Sequence, residues 1–208
     1  MPLESVTMDL MPPRLIVVTG RPGAGKTTLA ERLAETLGLP ALHRDRVKED
    51  MQAACPARSD RVDNLAATDA FFERLRDWLE RGTSCVADAA FQHPVWEPRL
   101  ASLAPVSNIR VVVCQIPLAA ARQRRLARVE ANPTWRTSHP DPVLEIFLTH
   151  GSWPLDEPYV PPTLGFPTKT VDTTLPTREV VAEIVAWLGQ GQAGSDWASS
   201  GINFPRDP

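Results

Sequence analysis

The chain has 208 residues and a formal net charge of −3, with 43% hydrophobic and 23% charged residues. These proportions are typical of a soluble globular protein, and the length suggests one domain. The acidic balance provides no overall basic field that would hold a long nucleic acid. No apolar run approaches the roughly 18 residues that span a membrane. Residues 1–13 include Glu4 and Asp9 and lack the basic start and apolar run of a signal peptide.

The three cysteines, Cys55, Cys85 and Cys114, lie far apart and form no CxxC pair. Cys85 and Cys114 fall in apolar runs, which favours buried and reduced thiols. We therefore expect a cytoplasmic protein. The sequence leaves its oligomeric state open.

Strand-like and helix-like segments alternate from residue 14 to residue 189. Short apolar, β-branched runs predict strands at 14–19, 41–43, 84–87, 109–116 and 168–171. Apolar residues at helical spacing predict helices at 25–37, from about 45, and at 62–81, 94–103, 117–129, 143–149 and 178–188. This alternation predicts an α/β domain with a parallel sheet over 14–189. Residues 1–13 form a predicted N-terminal extension, and the Gly-, Ser-, Ala- and Pro-containing residues 190–208 a flexible tail.

Residues 20–27 read GRPGAGKT and match the phosphate-binding pattern G-x-x-x-x-G-K-[ST], between a predicted strand and a predicted helix. The glycines allow the backbone to approach phosphates closely, and its N–H groups then form an anion site at a helix N-terminus. Lys26 supplies a charge for the β- and γ-phosphates, and the Thr27 hydroxyl is a Mg²⁺ ligand. The predicted ATP-binding residues in this loop are Gly20, Arg21, Pro22, Gly23, Ala24, Gly25, Lys26, Thr27 and Thr28.

A phosphate loop alone does not distinguish a kinase from a GTPase or a motor ATPase. The sequence contains neither the N-K-x-D nor the D-x-x-G motif of GTP-specific proteins, which favours ATP over GTP. Asp88 is followed by Ala89 and Ala90, so the glutamate of a motor-type ATPase is missing. A kinase additionally needs an acceptor base and a basic lid that excludes water. The chain offers candidates for both.

Asp45 is the candidate acceptor base. It follows the short second strand, at the edge of the sheet where open α/β folds bind ligands. There it can accept the proton of the acceptor hydroxyl and orient that group for attack. Lys48 lies one turn along the same helix face and can bind an anionic part of the acceptor. The alternative is that Asp45 is a simple helix N-cap and the neighbouring cations are solvated.

Asp88 ends the apolar strand that contains Cys85. A carboxylate at that position can hold Mg²⁺ or bind the acceptor, and the alternative is a turn residue at a strand end. The predicted metal ligands are therefore Thr27 and Asp88, and the predicted catalytic residues include Lys26, Asp45 and Asp88.

An arginine-rich segment is the candidate lid, which spans about residues 122–142. Its arginines are Arg122, Arg124, Arg125, Arg128 and Arg136. The first four form two adjacent rows on one helix, and guanidinium groups suit triphosphates because they are planar and permanently charged. We select Arg122 as a nucleotide contact and Arg128 as a catalytic phosphate contact. The alternative is a solvated helix face.

Two loop positions complete the candidate site. His139 and Asp141 flank Pro140 in the lid and are placed to contact the substrate, although ordinary loop polarity explains them equally well. Asp172, in the segment VDTT after the last strand, is predicted to lie near the adenine. The alternative for Asp172 is an N-terminal cap for the helix at 178–188.

These motifs, taken in order, resemble the small P-loop kinases grouped as zeta-toxin-like and AAA_33-type proteins, which include chloramphenicol phosphotransferase and the kinase domain of phage-type polynucleotide kinase. The resemblance rests on GRPGAGKTT at 20–28, RDRVK at 44–48, VADAAF at 86–91, the segment 122–136 and VDTT at 171–174. It implies a P-loop NTPase three-layer sandwich whose five-stranded parallel sheet has the order 2-3-1-4-5. It matches Asp45 to the acceptor-activating aspartate and Lys48 to a basic substrate-binding residue, where polynucleotide kinases have arginine.

The sequence thus predicts a kinase that uses ATP and Mg²⁺ to phosphorylate a hydroxyl of a small molecule, such as an antibiotic, a sugar or a nucleoside-like compound. Two alternatives remain open. One is a P-loop ATPase that acts through a protein partner, and the other is a 5′-hydroxyl polynucleotide kinase. Neither a nucleic acid nor a membrane is the expected partner.

Overall fold

The computed structural model describes residues 12–54, 64–91, 96–132, 139, 141–154, 159–163 and 165–190. The predicted N-terminal extension and the predicted flexible tail lie almost wholly outside these ranges, as do Cys55 and Arg136. The domain boundaries therefore stay predictions. In the described ranges no helix has both the length and the apolar character needed to cross a membrane.

The strands of the described part form one all-parallel sheet. They are β1 (Arg14–Gly20), β2 (Ala41–His43), β3 (Cys85–Asp88), β4 (Asn108–Gln115) and β5 (Thr168–Asp172). Their order across the sheet is β2-β3-β1-β4-β5. The predicted α/β fold and the strand order implied by the resemblance are both confirmed.

Helices connect these strands and cover both faces of the sheet. They are α1 (Lys26–Leu37), α2 (Arg44–Ala54), α3 (Asn64–Glu80), α4 (Glu97–Ala101), α5 (Leu118–Ala131), α6 (Pro142–His150) and α7 (Thr177–Gln190). The helix predicted at 94–103 is shorter than expected, and a separate 3₁₀ turn follows it at Ala104–Val106. Pro105 explains the break, because proline has no N–H to bond to the carbonyl four residues earlier and its ring collides with that carbonyl in a continuous α-helix.

Two hydrophobic cores lie on opposite faces of the sheet. Ile16 and Val18 of β1 pack in the core that contains residues of α1 and α7, such as Leu33. Leu15 and Val17 pack in the other core, beside Phe71 and other residues of α3. Successive side chains of a strand point to opposite faces, so a strand buried on both faces is apolar throughout. The result is a three-layer sandwich.

The carboxyl ends of the central strands meet at one edge of the sheet. His43 of β2 is in register with Asp88 of β3, and Asp88 is in register with Val18 of β1. Gly20, the last residue of β1, is in register with Cys114 of β4. The phosphate loop follows β1 directly, so the strand register brings the ends of β2 and β3 close to that loop.

Candidate active site

The phosphate loop is packed so tightly that two of its glycines have no room for a side chain. A Cβ atom on Gly20, where φ is +150°, would lie 2.6 Å from the carbonyl oxygen of Cys114. A Cβ atom on Gly23, where φ is +83°, would overlap the carbonyl oxygen of Ala121 in α5. The loop then enters α1 at its N-cap, Gly25. Backbone N–H groups at such a helix start suit an anion.

Lys26 is the cation of this loop. Its Nζ donates a hydrogen bond to the carbonyl oxygen of Arg21 at 3.1 Å. Burial lowers the pKa of Lys26 from its ordinary value, and the charges of Asp88 and Asp45 oppose that change. The charge of Arg128 adds to the lowering. The ammonium group is therefore within electrostatic reach of two predicted site carboxylates and of one predicted lid arginine.

Asp88 is buried beside the phosphate loop, with 5% of its surface exposed. The Thr27 hydroxyl donates a hydrogen bond to Asp88 Oδ2 at 2.6 Å. Nδ1 of the buried His43 lies 3.2 Å from the same oxygen. Asp88 Oδ1 is also buried and has no hydrogen-bond partner among the described residues. Oδ2 of this carboxylate thus has two hydrogen-bonding neighbours, Thr27 and His43, while Oδ1 is available to a ligand.

These oxygen donors fit Mg²⁺, which prefers oxygen ligands and is commonly bound by one or two carboxylates together with substrate phosphates. Because the Thr27 hydroxyl gives its hydrogen to Asp88, its lone pairs remain available to a cation. In the described part of the chain, no group of three or more His, Cys, Asp and Glu side chains is placed to hold a metal ion by itself. A cation at this site would therefore complete its ligands with water and with the phosphates of a bound nucleotide.

Asp45 lies in the first turn of α2, and 62% of its side chain is exposed. Its carboxylate is 3.3 Å from the guanidinium of Arg44. Helix α2 begins one residue earlier, at Arg44, so Asp45 is inside the helix and the N-cap alternative does not describe it. An acidic residue in a first turn still interacts favourably with the helix dipole. Its role as acceptor base stays a prediction.

Lys48 has a different environment from the solvated cation that the sequence left open. It is 5% exposed, and its Nζ donates a hydrogen bond to Asn64 Oδ1 at 2.9 Å. Arg44 donates two further hydrogen bonds of 3.0 Å to Asn64, one to Oδ1 and one to the backbone carbonyl. Asn64 thus joins the start of α3 to two cations of α2. A contact between Lys48 and the acceptor remains a prediction.

Most of the described part of the predicted lid lies on α5, and an ion pair joins α5 to Asp141, the residue before α6; its two side chains are 6% and 15% exposed. The Arg125 guanidinium donates hydrogen bonds to both carboxylate oxygens of Asp141, at 2.9 Å and 2.5 Å. Asp141 is also the N-cap of α6, where it accepts a hydrogen bond of 3.1 Å from the backbone N–H of Leu144. Asp141 thus has a structural role, since it binds Arg125 and caps α6.

The arginine predicted to contact the nucleotide, Arg122, packs against residues that follow α6. Its guanidinium lies 4.9 Å from the ring centre of Trp153 and donates a hydrogen bond of 3.3 Å to the carbonyl oxygen of Pro154. The predicted substrate residue His139 makes a contact of 3.2 Å from Nε2 to Glu49 of α2. These contacts connect the lid to the segment after α6 and to α2. The nucleotide and substrate roles of Arg122 and His139 stay predictions.

A family model described as an AAA domain, AAA_33, matches residues 15–145, which is more than half of the chain. This chain belongs to the AAA_33 family. The match includes the phosphate loop, Asp45, Asp88 and the start of α6. No curated protein matches the chain.

Several solved structures of kinases share the fold. A candidate kinase from Chloroflexus aurantiacus J-10-fl is 27% identical, with a TM-score of 0.68, and the match covers 88% of this chain and 100% of that one. The APS kinase CysC of Mycobacterium tuberculosis, solved with AMPPNP and APS, is 16% identical, with a TM-score of 0.59 and coverage of 86% and 99%. A gluconokinase from Sinorhizobium meliloti 1021 is 19% identical, with a TM-score of 0.56 and coverage of 86% and 93%. This AAA_33 protein therefore has the fold of the small P-loop kinases.

Two residues of this AAA_33 protein lie at the site although the sequence did not single them out. His43 contacts Asp88, as described above. Arg124 places Nη1 3.3 Å from the position that a Cβ atom on Gly25 would take, and its Nη2 donates a hydrogen bond of 2.9 Å to the carbonyl oxygen of Thr173. The sequence offered no signal for Arg124 beyond its membership of the arginine rows. For His43, the signal was its position at the end of a strand.

The loop after β5 is held in a turn by Asp172. This carboxylate accepts hydrogen bonds from the Thr174 hydroxyl at 2.7 Å and from the Thr174 backbone N–H at 2.9 Å. These bonds hold the pKa of Asp172 below its ordinary value, the hydroxyl having the larger effect. Helix α7 begins at Thr177, so Asp172 is not its N-cap. Through Thr173 and Arg124, this loop is connected to the phosphate loop.

Proposed function

We propose that this protein is an ATP-dependent kinase that transfers the γ-phosphoryl group to a hydroxyl of a small molecule. The observation that carries the proposal is the arrangement at the phosphate loop. The Thr27 hydroxyl is hydrogen-bonded to the buried carboxylate of Asp88, beside a lysine whose pKa is lowered by burial. The fold shared with kinase structures supports the same conclusion.

On the nucleotide side, the loop backbone and Lys26 bind the phosphates, and Thr27 and Asp88 hold Mg²⁺. When it is bound, Mg²⁺ neutralises charge on the β- and γ-phosphates. Arg124 is a further nucleotide contact in this proposal, because it lies between Gly25 and the loop that contains Asp172.

On the acceptor side, Asp45 and Asp88 have distinct tasks. Asp88 Oδ2 is already engaged with Thr27 and His43, which suits a fixed metal-side ligand. Asp45 is exposed, and its charge is nevertheless close enough to oppose the lowering of the Lys26 pKa by burial. An exposed carboxylate near the phosphate loop can meet an incoming hydroxyl, accept its proton and orient it. We therefore assign the base to Asp45, with Lys48 and His139 as candidate acceptor contacts.

The other three arginines of α5 have two different tasks. Arg125 and Arg122 join α5 to Asp141 and to Trp153 respectively, on either side of α6. Arg128 is exposed on α5, and its charge acts on Lys26. A permanent positive charge there can stabilise charge that develops on the transferred phosphoryl group. We propose Arg128 as the catalytic arginine of the lid.

The test is ATP consumption with a panel of hydroxyl-bearing antibiotics, sugars, nucleosides and oligonucleotides, with Lys26→Ala as the control. A kinase of small molecules produces ADP and a phosphorylated acceptor in equal amounts with at least one small compound, and the control does not. Rapid ATP hydrolysis that needs no acceptor, and that a partner protein increases, would instead indicate a hydrolytic ATPase. Phosphorylation of oligonucleotide ends alone would indicate a polynucleotide kinase.

A further inference from the structure

His43 is a buried histidine at the end of a strand whose other buried residue is Leu42. It is 4% exposed, and it is paired in register with Asp88 on the neighbouring strand β3. An imidazole in such a place loses its hydration, which is unfavourable unless its ring nitrogens are hydrogen-bonded. The contact that compensates is made by Nδ1, 3.2 Å from Asp88 Oδ2. Because an ionised carboxylate only accepts hydrogen bonds, Nδ1–H is the donor.

The two hydrogen bonds to Asp88 fix this side chain from both sides. Thr27 donates from the phosphate loop and His43 donates from β2, and both bonds end on Oδ2. The carboxylate therefore resists rotation, and Oδ1 is presented at one position. Oδ1 is buried and has no hydrogen-bond partner within the described ranges. A buried oxygen in this condition needs a ligand to compensate its desolvation.

We infer that His43 is a positioning residue, which holds Asp88 so that Oδ1 and the Thr27 hydroxyl together receive the divalent cation of the bound nucleotide. The inference rests on the proposed function, since the cation is the one that accompanies ATP. Groups that orient metal ligands through hydrogen bonds typically change metal affinity by about 10–100-fold when they are replaced. His43 acts through Asp88.

The position of His43 has a second effect. It directly precedes Arg44 and Asp45, the first residues of the acceptor-side helix α2. The hydrogen bond to Asp88 therefore connects the start of that helix to the metal side of the nucleotide site. In this inference, the placement of Asp45 and the placement of the cation both depend on the hydrogen bond between His43 and Asp88.

Matched replacements test this role. Asparagine places an N–H donor where Nδ1 of histidine lies, and leucine has the same branched shape without a donor. Binding of Mn²⁺ is measured by electron paramagnetic resonance, in the presence of saturating AMPPNP, for wild type, His43→Asn and His43→Leu. We expect His43→Asn to bind Mn²⁺ within about threefold of wild type and His43→Leu to bind it about tenfold or more weakly. AMPPNP affinity without metal is expected to be unchanged in both variants.

Equal Mn²⁺ affinities of the asparagine and leucine variants would overturn the inference, because a packing role depends on shape alone. Thermal unfolding of each variant establishes that it is folded. If His43→Leu does not fold, His43→Gln replaces it, since glutamine carries its amide at the Nε2 position and is expected to lose Mn²⁺ affinity as leucine does. Wild-type protein that binds no Mn²⁺ with AMPPNP contradicts the proposed function itself. If the wild type binds Mn²⁺ and the two variants bind it with equal affinity, only the role of His43 is contradicted.

Discussion

Replacement of Gly23 by alanine tests the packing of the phosphate loop against the lid helix. Gly23 has a φ of +83°, and an alanine in a left-handed conformation is destabilised by roughly 1–2 kcal/mol. Its Cβ would also overlap the backbone carbonyl of Ala121, which no side-chain rotation can relieve. Overpacking of this kind destabilises by about 1–3 kcal/mol. The expected total for Gly23→Ala is therefore about 2–5 kcal/mol.

Gly82→Ala is the matched control. Gly82 has nearly the same φ, +77°, and within the described structure no atom lies inside 4 Å of its added Cβ. Gly82→Ala should therefore lower the free energy of unfolding only by the conformational contribution, roughly 1–2 kcal/mol. Urea denaturation without nucleotide measures both free energies of unfolding. If Gly23→Ala is no less stable than Gly82→Ala, the loop and α5 are not in the tight contact described, and the argument from the added Cβ is wrong.

The remaining predictions concern the chemistry of the site and the buried thiols. Lys26→Ala should keep its fold, as measured by thermal unfolding, and lose almost all phosphoryl transfer; unchanged turnover would contradict the assigned role of the loop. Asp45→Asn should retain ATP binding, measured by calorimetry, and lose transfer by roughly 10²–10⁴-fold. Asp88→Asn should instead raise the Mg²⁺ concentration needed for half-maximal rate, and the opposite pattern would exchange the two roles. Burial raises the pKa of Cys85 and of Cys114 from 9.0 to about 12. Both thiols should therefore resist iodoacetamide at pH 8 in the folded protein and react after unfolding. Since the unfolded thiols ionise first, the free energy of unfolding should fall as pH rises from 9 toward 12, and a flat profile would contradict this.

The elements that the sequence predicted well are those with local signals. Strand β1 is buried on both faces and therefore reads as a continuous apolar run, and α1 ends at Gly38 as expected. The phosphate loop was recognisable because its chemistry lies in eight consecutive residues. The order of the strands came from the resemblance to small P-loop kinases, because strand periodicity carries no information about which strands are neighbours.

The contacts that the sequence missed join residues far apart in the chain. The bond from His43 to Asp88 depends on the register of two strands separated by more than 40 residues. The contact of Arg124 with Thr173 depends on which arginine of one helix faces the sheet edge. The four arginines of α5 looked alike in sequence, yet Arg125 is buried in an ion pair while Arg128 is exposed. Only the packed structure separates them.

Asp141 serves helices α5 and α6 at the same time. It begins α6 as its N-cap and at the same time binds Arg125 of α5. The direction in which α6 starts is therefore tied to the face that α5 presents to the phosphate loop. Loss of this one carboxylate would remove the cap of α6 and both hydrogen bonds of Arg125 together. A substitution of Asp141 is accordingly felt in two places at once, at the first turn of α6 and at the buried guanidinium on α5.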